Sequence, residues 1–200
     1  DALTGDGVEM MPFHNIFNEW YAAQTSKKIR AVWQSKADNG KRVSSTVPFG
    51  YMKDPNDKEK WLIDEPAAEV VRKIYALCLA GRGPSQIARQ LEKEQILIPS
   101  AYYESIGRTH ARKVEINSCK WEQKTVVGIL ENRQYTGCAV NFKTTTVSYK
   151  VHKTIYKPVE EHQIIPNMQE PIVSEEQWLR VQELRKHRRR PTATGRTSLF

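Results

Sequence analysis

The sequence predicts a mainly α protein with a smaller α/β part. The expected order is a long linker helix, a helix-turn-helix-like helical domain, and a short mixed strand/helix segment. Three observations predict it. Residues 12–39 hold no Gly or Pro after Pro12, so nothing there interrupts a helix. After Asp64, apolar residues recur at helical spacing in several separate stretches. From Tyr135 onward, alternating stretches rich in Val, Thr and Tyr replace them, as strands require.

The first helix is expected over 12–39, with Pro12 in its first turn and Asn39-Gly40 as its stop. Residues 1–11 read as a loop. Phe13, Ile16, Phe17 and Trp20 form one apolar stripe, and Ile29, Val32 and Trp33 form another. At about 100° per residue the two stripes fall on nearly opposite sides. Either the helix packs on a different body in each half, or it is buried whole in one core.

Residues 40–51, GKRVSSTVPFGY, read as a linker. Lys41 and Arg42 are basic, and Ser44, Ser45 and Thr46 carry hydroxyls. Such an arm can follow a groove and hydrogen-bond phosphates; it is equally the composition of an ordinary solvated linker. Phe49 and Tyr51 are expected to tuck against the next domain. A turn at Asp54–Asp57 then suggests a small hairpin.

The helical domain is placed at 52–135. One helix runs from Pro66 to about Ala80, closed by Gly81, with Val70, Val71, Ile74, Leu77 and Cys78 at core spacing. A Gly-Pro turn follows, then a short helix N-capped by Ser85 with Ile87, Ala88 and Leu91 inward. Together they resemble the front of a helix-turn-helix. Residues 99–119 read as a long irregular loop holding Arg108, His110, Arg112 and Lys113. In the next helix Trp121, Val126, Val127, Ile129 and Leu130 face inward. Lys120, Gln123, Lys124 and Thr125 face outward near its start. That end suits a major groove, with Gln reading adenine edges and Lys meeting guanine or phosphate; a solvated charged face has the same composition. Residues 136–200 read as the start of a second, truncated domain, with strands ended by Pro158 and Pro166. Its helix is capped by Ser174 and Gln177.

Net charge is +8. Residues 1–40 carry 4 basic and 5 acidic groups, residues 41–135 carry 16 and 12, and residues 136–200 carry 11 and 6. The excess lies beyond the long helix and suits a polyanion partner. Mean hydropathy is −0.63, and no run approaches the ~18 apolar residues of a membrane helix. The start lacks the pattern of a signal peptide, so a cytoplasmic location is the default. Lacking an initiator Met, the chain reads as a piece of a longer protein. Cys78, Cys119 and Cys138 form no CxxC, which supports neither a zinc ribbon nor a disulfide framework. The histidines show no paired spacing, and no metal site is expected in this chain.

The run MPFHNIFNEWYAAQTSKKIRAVWQSK followed by GKRVSSTVPFGY resembles large serine recombinases, the integrases and transposases of phages and mobile elements, where the catalytic domain gives way to the recombinase domain. WLIDEPAAEVVRKIYALCLAGRGPSQIARQLEKEQI, WEQKTVVGILENRQYTGCAV and IVSEEQWLRVQELRKHRR resemble later family segments, in the family's order. The resemblance implies a DNA-binding part of a site-specific recombinase that recognises attachment-site DNA and positions a catalytic domain. It implies double-stranded DNA as partner and self-association through the long helix. Family members cut DNA with a serine nucleophile, and that serine and its arginine cluster would precede residue 1. No catalytic residue is therefore assigned here, and Thr25-Ser26 stands where some relatives place a Glu-Arg pair. The resemblance makes residues 136–200 the start of a second, truncated DNA-binding domain of zinc-ribbon type, and implies zinc only for ligands that would follow residue 200.

The expected phosphate contacts are Lys41, Arg42, Arg108, Arg112 and Lys124. Base contacts are expected from Gln123, Thr125 and Ser44, while Ser45, Thr46, Lys120 and Arg133 complete the DNA-binding set. Two rivals explain part of the pattern. A helix-turn-helix transcriptional regulator explains the charge but not the long helix. A protein oligomerisation domain explains the aromatic helix without DNA.

Overall fold

The computed structural model describes residues 5–57, 59–108, 118–151 and 153–188. They form two compact units. One combines the chain up to Ser45 with Ala139–Ile165, and the other combines Thr46–Cys138 with the chain from Pro166. Residues 136–200, read from the sequence as one truncated domain, thus contribute to both.

The first unit is organised on helix α1 (Gly5–Asp38). This helix begins upstream of Pro12, so Pro12 does not stand in its first turn and residues 5–11 are not a loop. Loss of one backbone donor at Pro12 is outweighed by helix propagation on either side, where Glu9, Met10 and Met11 are good helix formers. Gly40 takes φ +69, and the amides of Gly40 and Lys41 close back on the carbonyls of Ala37 and Lys36, the left-handed ending expected of Asn-Gly. Strand β3 (Ala139–Asn141) pairs antiparallel with β6 (Gln163–Ile165). Between them, β4 (Thr144–Thr146) and β5 (Thr154–Tyr156) form a separate antiparallel ribbon. Gln163 donates to the Ala37 carbonyl at 3.0 Å, fastening the end of α1 to β6. Both apolar stripes of α1 stay exposed, from Phe13 and Trp20 to Val32 and Trp33. Neither packing expected for this helix is realised among the described residues.

The second unit holds the core. A hairpin of β1 (Tyr51–Lys53) and β2 (Trp61–Ile63) leads into α2 (Glu65–Leu79), α3 (Pro84–Lys93), α4 (Pro99–Ser105), α5 (Gln123–Glu131) and α6 (Glu175–Arg188). Val71, Ile74, Cys78, Ile87, Leu91, Val126, Leu130 and Val181 are buried together, with Val70 and Leu77 packed at the edge. Their i, i+3, i+4 spacing turns one face of each helix inward. Buried tyrosines keep their hydroxyls hydrogen-bonded to backbone, which makes their burial tolerable. Tyr51 donates to the Glu170 carbonyl at 2.7 Å, Tyr135 to that of Phe49 at 2.9 Å, and Tyr75 to those of Ile129 and Leu130 at 3.2 Å. Trp121 donates its indole N–H to the Ile96 carbonyl.

Three expectations about this unit are corrected. Ser85 is not the N-cap of α3: the helix starts one residue earlier at Pro84, and Gln86 Oε1 accepts from the Gly83 amide at 2.9 Å. Pro84 supplies a preset helical φ at the first position, so the cap moves to Gly83. The start of the 99–119 segment is helical for the same reason, with Pro99 opening α4. Tyr135 and Thr136, where strands are expected to begin, instead end a 3-10 turn that starts at Arg133. At α6 the anticipated cap is present: Gln177 donates its amide to Ser174 Oγ and accepts from the Ser174 amide.

Candidate nucleic-acid interface

Helices α2 and α3 are joined by a tight turn in which Gly81 takes φ +91, the front half of a helix-turn-helix. Helix α5 packs on both, through Val126, Ile129 and Leu130. Its N-terminal end is tied to that of α3: Ser85 Oγ donates to Gln123 Oε1 at 2.8 Å. Lys120, Gln123 and Lys124 are exposed around this junction, and Thr125 is half-buried. The unsatisfied amides of the first turn of α5 add a partial positive charge to the two lysines. A carbonyl oxygen has two lone pairs. Gln123 can therefore keep its bond to Ser85 and still present one acceptor and an N–H donor to an adenine edge.

One residue missed by sequence reasoning belongs to this surface, and three near it in the chain are exposed. Ser85 orients Gln123, and Arg82, Gln86 and Arg89 of the turn and α3 are exposed. The string GRGPSQIAR signalled them through its polar positions, but only the packing of α3 on α5 brings Ser85 to Gln123.

The other predicted residues behave differently. Arg133 is half-buried and committed: it meets Glu175 at 2.7 Å and lies over the Trp178 ring at 5.5 Å. The pair is partly exposed, on a residue from which a DNA contact is expected. Arg108 stacks on Tyr103 at 5.3 Å from the ring centre and is half-buried. Burial pushes the Tyr103 hydroxyl up, and the Arg108 charge opposes that shift. Thr46, where the second unit begins, is exposed. Arg112 lies outside the described residues.

In the first unit, buried Asn141 pins the arm. Its amide donates to the Lys41 carbonyl at 3.0 Å and its oxygen accepts from the Val43 amide at 3.0 Å. The Lys41, Ser44 and Ser45 side chains remain exposed. Arg42, between the two pinned positions, is only 6% exposed. Alternation along an extended segment points successive side chains to opposite sides, so the phosphate contact expected of Arg42 is not available in this conformation.

Among the described residues, no group of three His, Cys, Asp or Glu side chains could hold a metal ion. No described helix is long and apolar enough to cross a membrane.

Among the solved structures that resemble this one are the following two. "Crystal Structure of a LSR-DNA Complex" aligns with TM-score 0.50 and 17% identity, over 86% of this chain and 41% of its own. A structure described as "Sequence Requirements of the Listeria innocua prophage attP site" aligns with TM-score 0.45 and 18% identity, over 86% and 56%. The chain therefore spans less than two thirds of either protein. No curated protein matches it. The family model described as Recombinase matches residues 65–188, from the start of α2 to the end of α6 and more than half of the chain, and on that match the chain belongs to the Recombinase family.

Proposed function

We propose that this chain is the DNA-binding part of a site-specific serine recombinase, which recognises attachment-site DNA and positions a catalytic domain for strand cleavage and exchange. The observation that carries the reading is the N-terminal end of α5. Lys120, Gln123 and Lys124 are exposed there on a helix locked to α3 by the Ser85–Gln123 bond, in a chain of the Recombinase family. The solved structure described as an LSR–DNA complex supports DNA as the partner. In this reading Lys120 and Lys124 neutralise phosphates, and Gln123 reads a base edge with Thr125 beside it. The arm of Lys41, Ser44, Ser45 and Thr46 adds backbone contacts.

Self-association through α1 belongs to the same proposal. Phe13, Ile16, Phe17 and Trp20 each expose more than half of their surface, and a second copy of the helix is the partner that would cover them.

The test is selection from a duplex library across a salt series. One enriched sequence, with affinity falling steeply as salt rises, is the expected result. Gln123→Ala should relax preference at one position by about 1–3 kcal/mol. Lys124→Ala should weaken all sequences alike and reduce the salt slope by about 1. Salt-independent binding, or none, would reject the proposal.

A further inference from the structure

The β4–β5 ribbon has no part in the site described above. Thr144 pairs with Tyr156, Thr145 with Ile155 and Thr146 with Thr154. All six residues are exposed, Tyr156 at 83%. Side chains alternate across a strand, so Thr144, Thr146, Thr154 and Tyr156 share one face, a set of four hydroxyls. The other face carries Thr145 and Ile155. A two-stranded ribbon with neither face on a core is barely stable in water, so this one needs an external partner.

The chemistry of the ribbon identifies the partner's charge. Residues 143–157 contain four lysines and no Asp or Glu. The turn is closed by the Ser148 amide on the Val151 carbonyl, and Ser148 Oγ accepts from the Val151 amide at 3.0 Å. This compact turn holds Lys150 at the tip, with exposed Lys153 beside it. Lys150 meets Glu19 at 2.9 Å, and Lys157 meets Glu161 at 3.0 Å. Lys150 and Glu19 are both solvent-exposed, whereas Lys157 is half-buried beside exposed Glu161; an exposed pair contributes little and is screened by salt, so a phosphate can displace the Glu19 carboxylate. A two-stranded ribbon also has the width of the major groove, about 12 Å.

We infer that the β4–β5 ribbon is a second duplex-DNA docking surface, in which Lys150 and Lys153 meet phosphates and the threonine hydroxyls face the groove. Lys150 exchanges Glu19 for a phosphate when DNA arrives. This rests on the DNA-binding reading above, and it assigns contacts to a segment separate from α5.

The experiment compares the full chain with K150A/K153A and with K150R/K153R, in duplex binding over a salt series. Each phosphate contact contributes about 0.9 to the slope of log affinity against log salt. K150A/K153A should therefore be shallower by about 1.8, with base preference unchanged, and K150R/K153R should match the native chain. Thermal melts of all three should coincide, because both positions are exposed. An unchanged slope in K150A/K153A, while K120A/K124A lowers it, would overturn the ribbon assignment and leave the DNA-binding reading standing. Equal losses in the Arg and Ala variants would also overturn it, since charge would not be the cause. Absence of salt-dependent binding in the native chain would instead refute the DNA-binding reading, and the ribbon assignment with it.

Discussion

At the scale of single residues, two positions show how local chemistry fixes the frame around the site. Asn141 is 2% exposed and substitutes for two ladder bonds by holding both Lys41 and Val43. Gly50 joins the arm to the β1–β2 hairpin at φ +99, and a Cβ there would lie 2.9 Å from Ile172 Cδ1 and 3.2 Å from Val71 Cγ2. Gly50→Ala should destabilise the helical unit on two counts. The left-handed backbone costs a non-Gly residue about 1–2 kcal/mol, and overpacking adds about 1–3 kcal/mol. Chemical denaturation should show a lower midpoint with an unchanged slope; an unchanged midpoint would mean that the turn relaxes freely. The sequence flagged Gly50 only as a linker end. Its steric role comes from Ile172, more than 120 positions away, and from Val71 of α2, which no local pattern reveals.

At the scale of elements, α1 and α5 contrast. Helix α5 is nine residues long and held by packing on α2 and α3. Helix α1 runs for 34 residues with its large apolar side chains outward. Helices owe most of their stability to packing of an apolar face, and exposed apolar patches mark interaction surfaces. Sedimentation of the full chain should therefore show concentration-dependent association. Replacing Phe17 and Trp20 by Ser should shift the distribution to the smallest species while far-UV helicity at high concentration falls. A monomer at all concentrations in the native chain would reject α1 as the contact. The face change at mid-helix was legible in the sequence. What covers each face was not, because periodicity reports which side is apolar and never what lies against it.

For the molecule as a whole, buried tyrosines set the alkaline limit. Burial holds Tyr75 and Tyr135 above their ordinary value of 10.0, and burial followed by the hydrogen bond to Asp64 raises Tyr102 to about 12. A raised folded pKa means that the folded state retains protons the unfolded chain releases. The stabilisation is complete below the unfolded pKa, near 10, and is lost as pH rises through the folded values. Stability of the helical unit should be level on this account from neutrality to about pH 10 and fall above it. Tyr135→Phe should make that fall shallower, besides losing the bond to the Phe49 carbonyl. A Tyr135→Phe variant with the native alkaline profile would show that Tyr135 does not titrate on unfolding.

Sequence alone determined the class of the protein, the order of its longer helices and the family segments. Those depend on local quantities: helical spacing, Gly and Pro positions, capping residues and the sign of the charge. It also singled out the basic end of α5, because an exposed Lys-Gln-Lys face stands out against an apolar one. Tertiary structure decided which cations are available. Arg133 is paired with Glu175 and lies over Trp178, 42 and 45 positions later, and Arg42 is buried while its neighbour Lys41 is not. It also returned α6 to the helical unit and left 139–165 with the long helix. The reason is physical. A side chain's type is written in the sequence, but its partner and its access to solvent are set by residues distant in the chain, and those decide whether a charge can reach a phosphate.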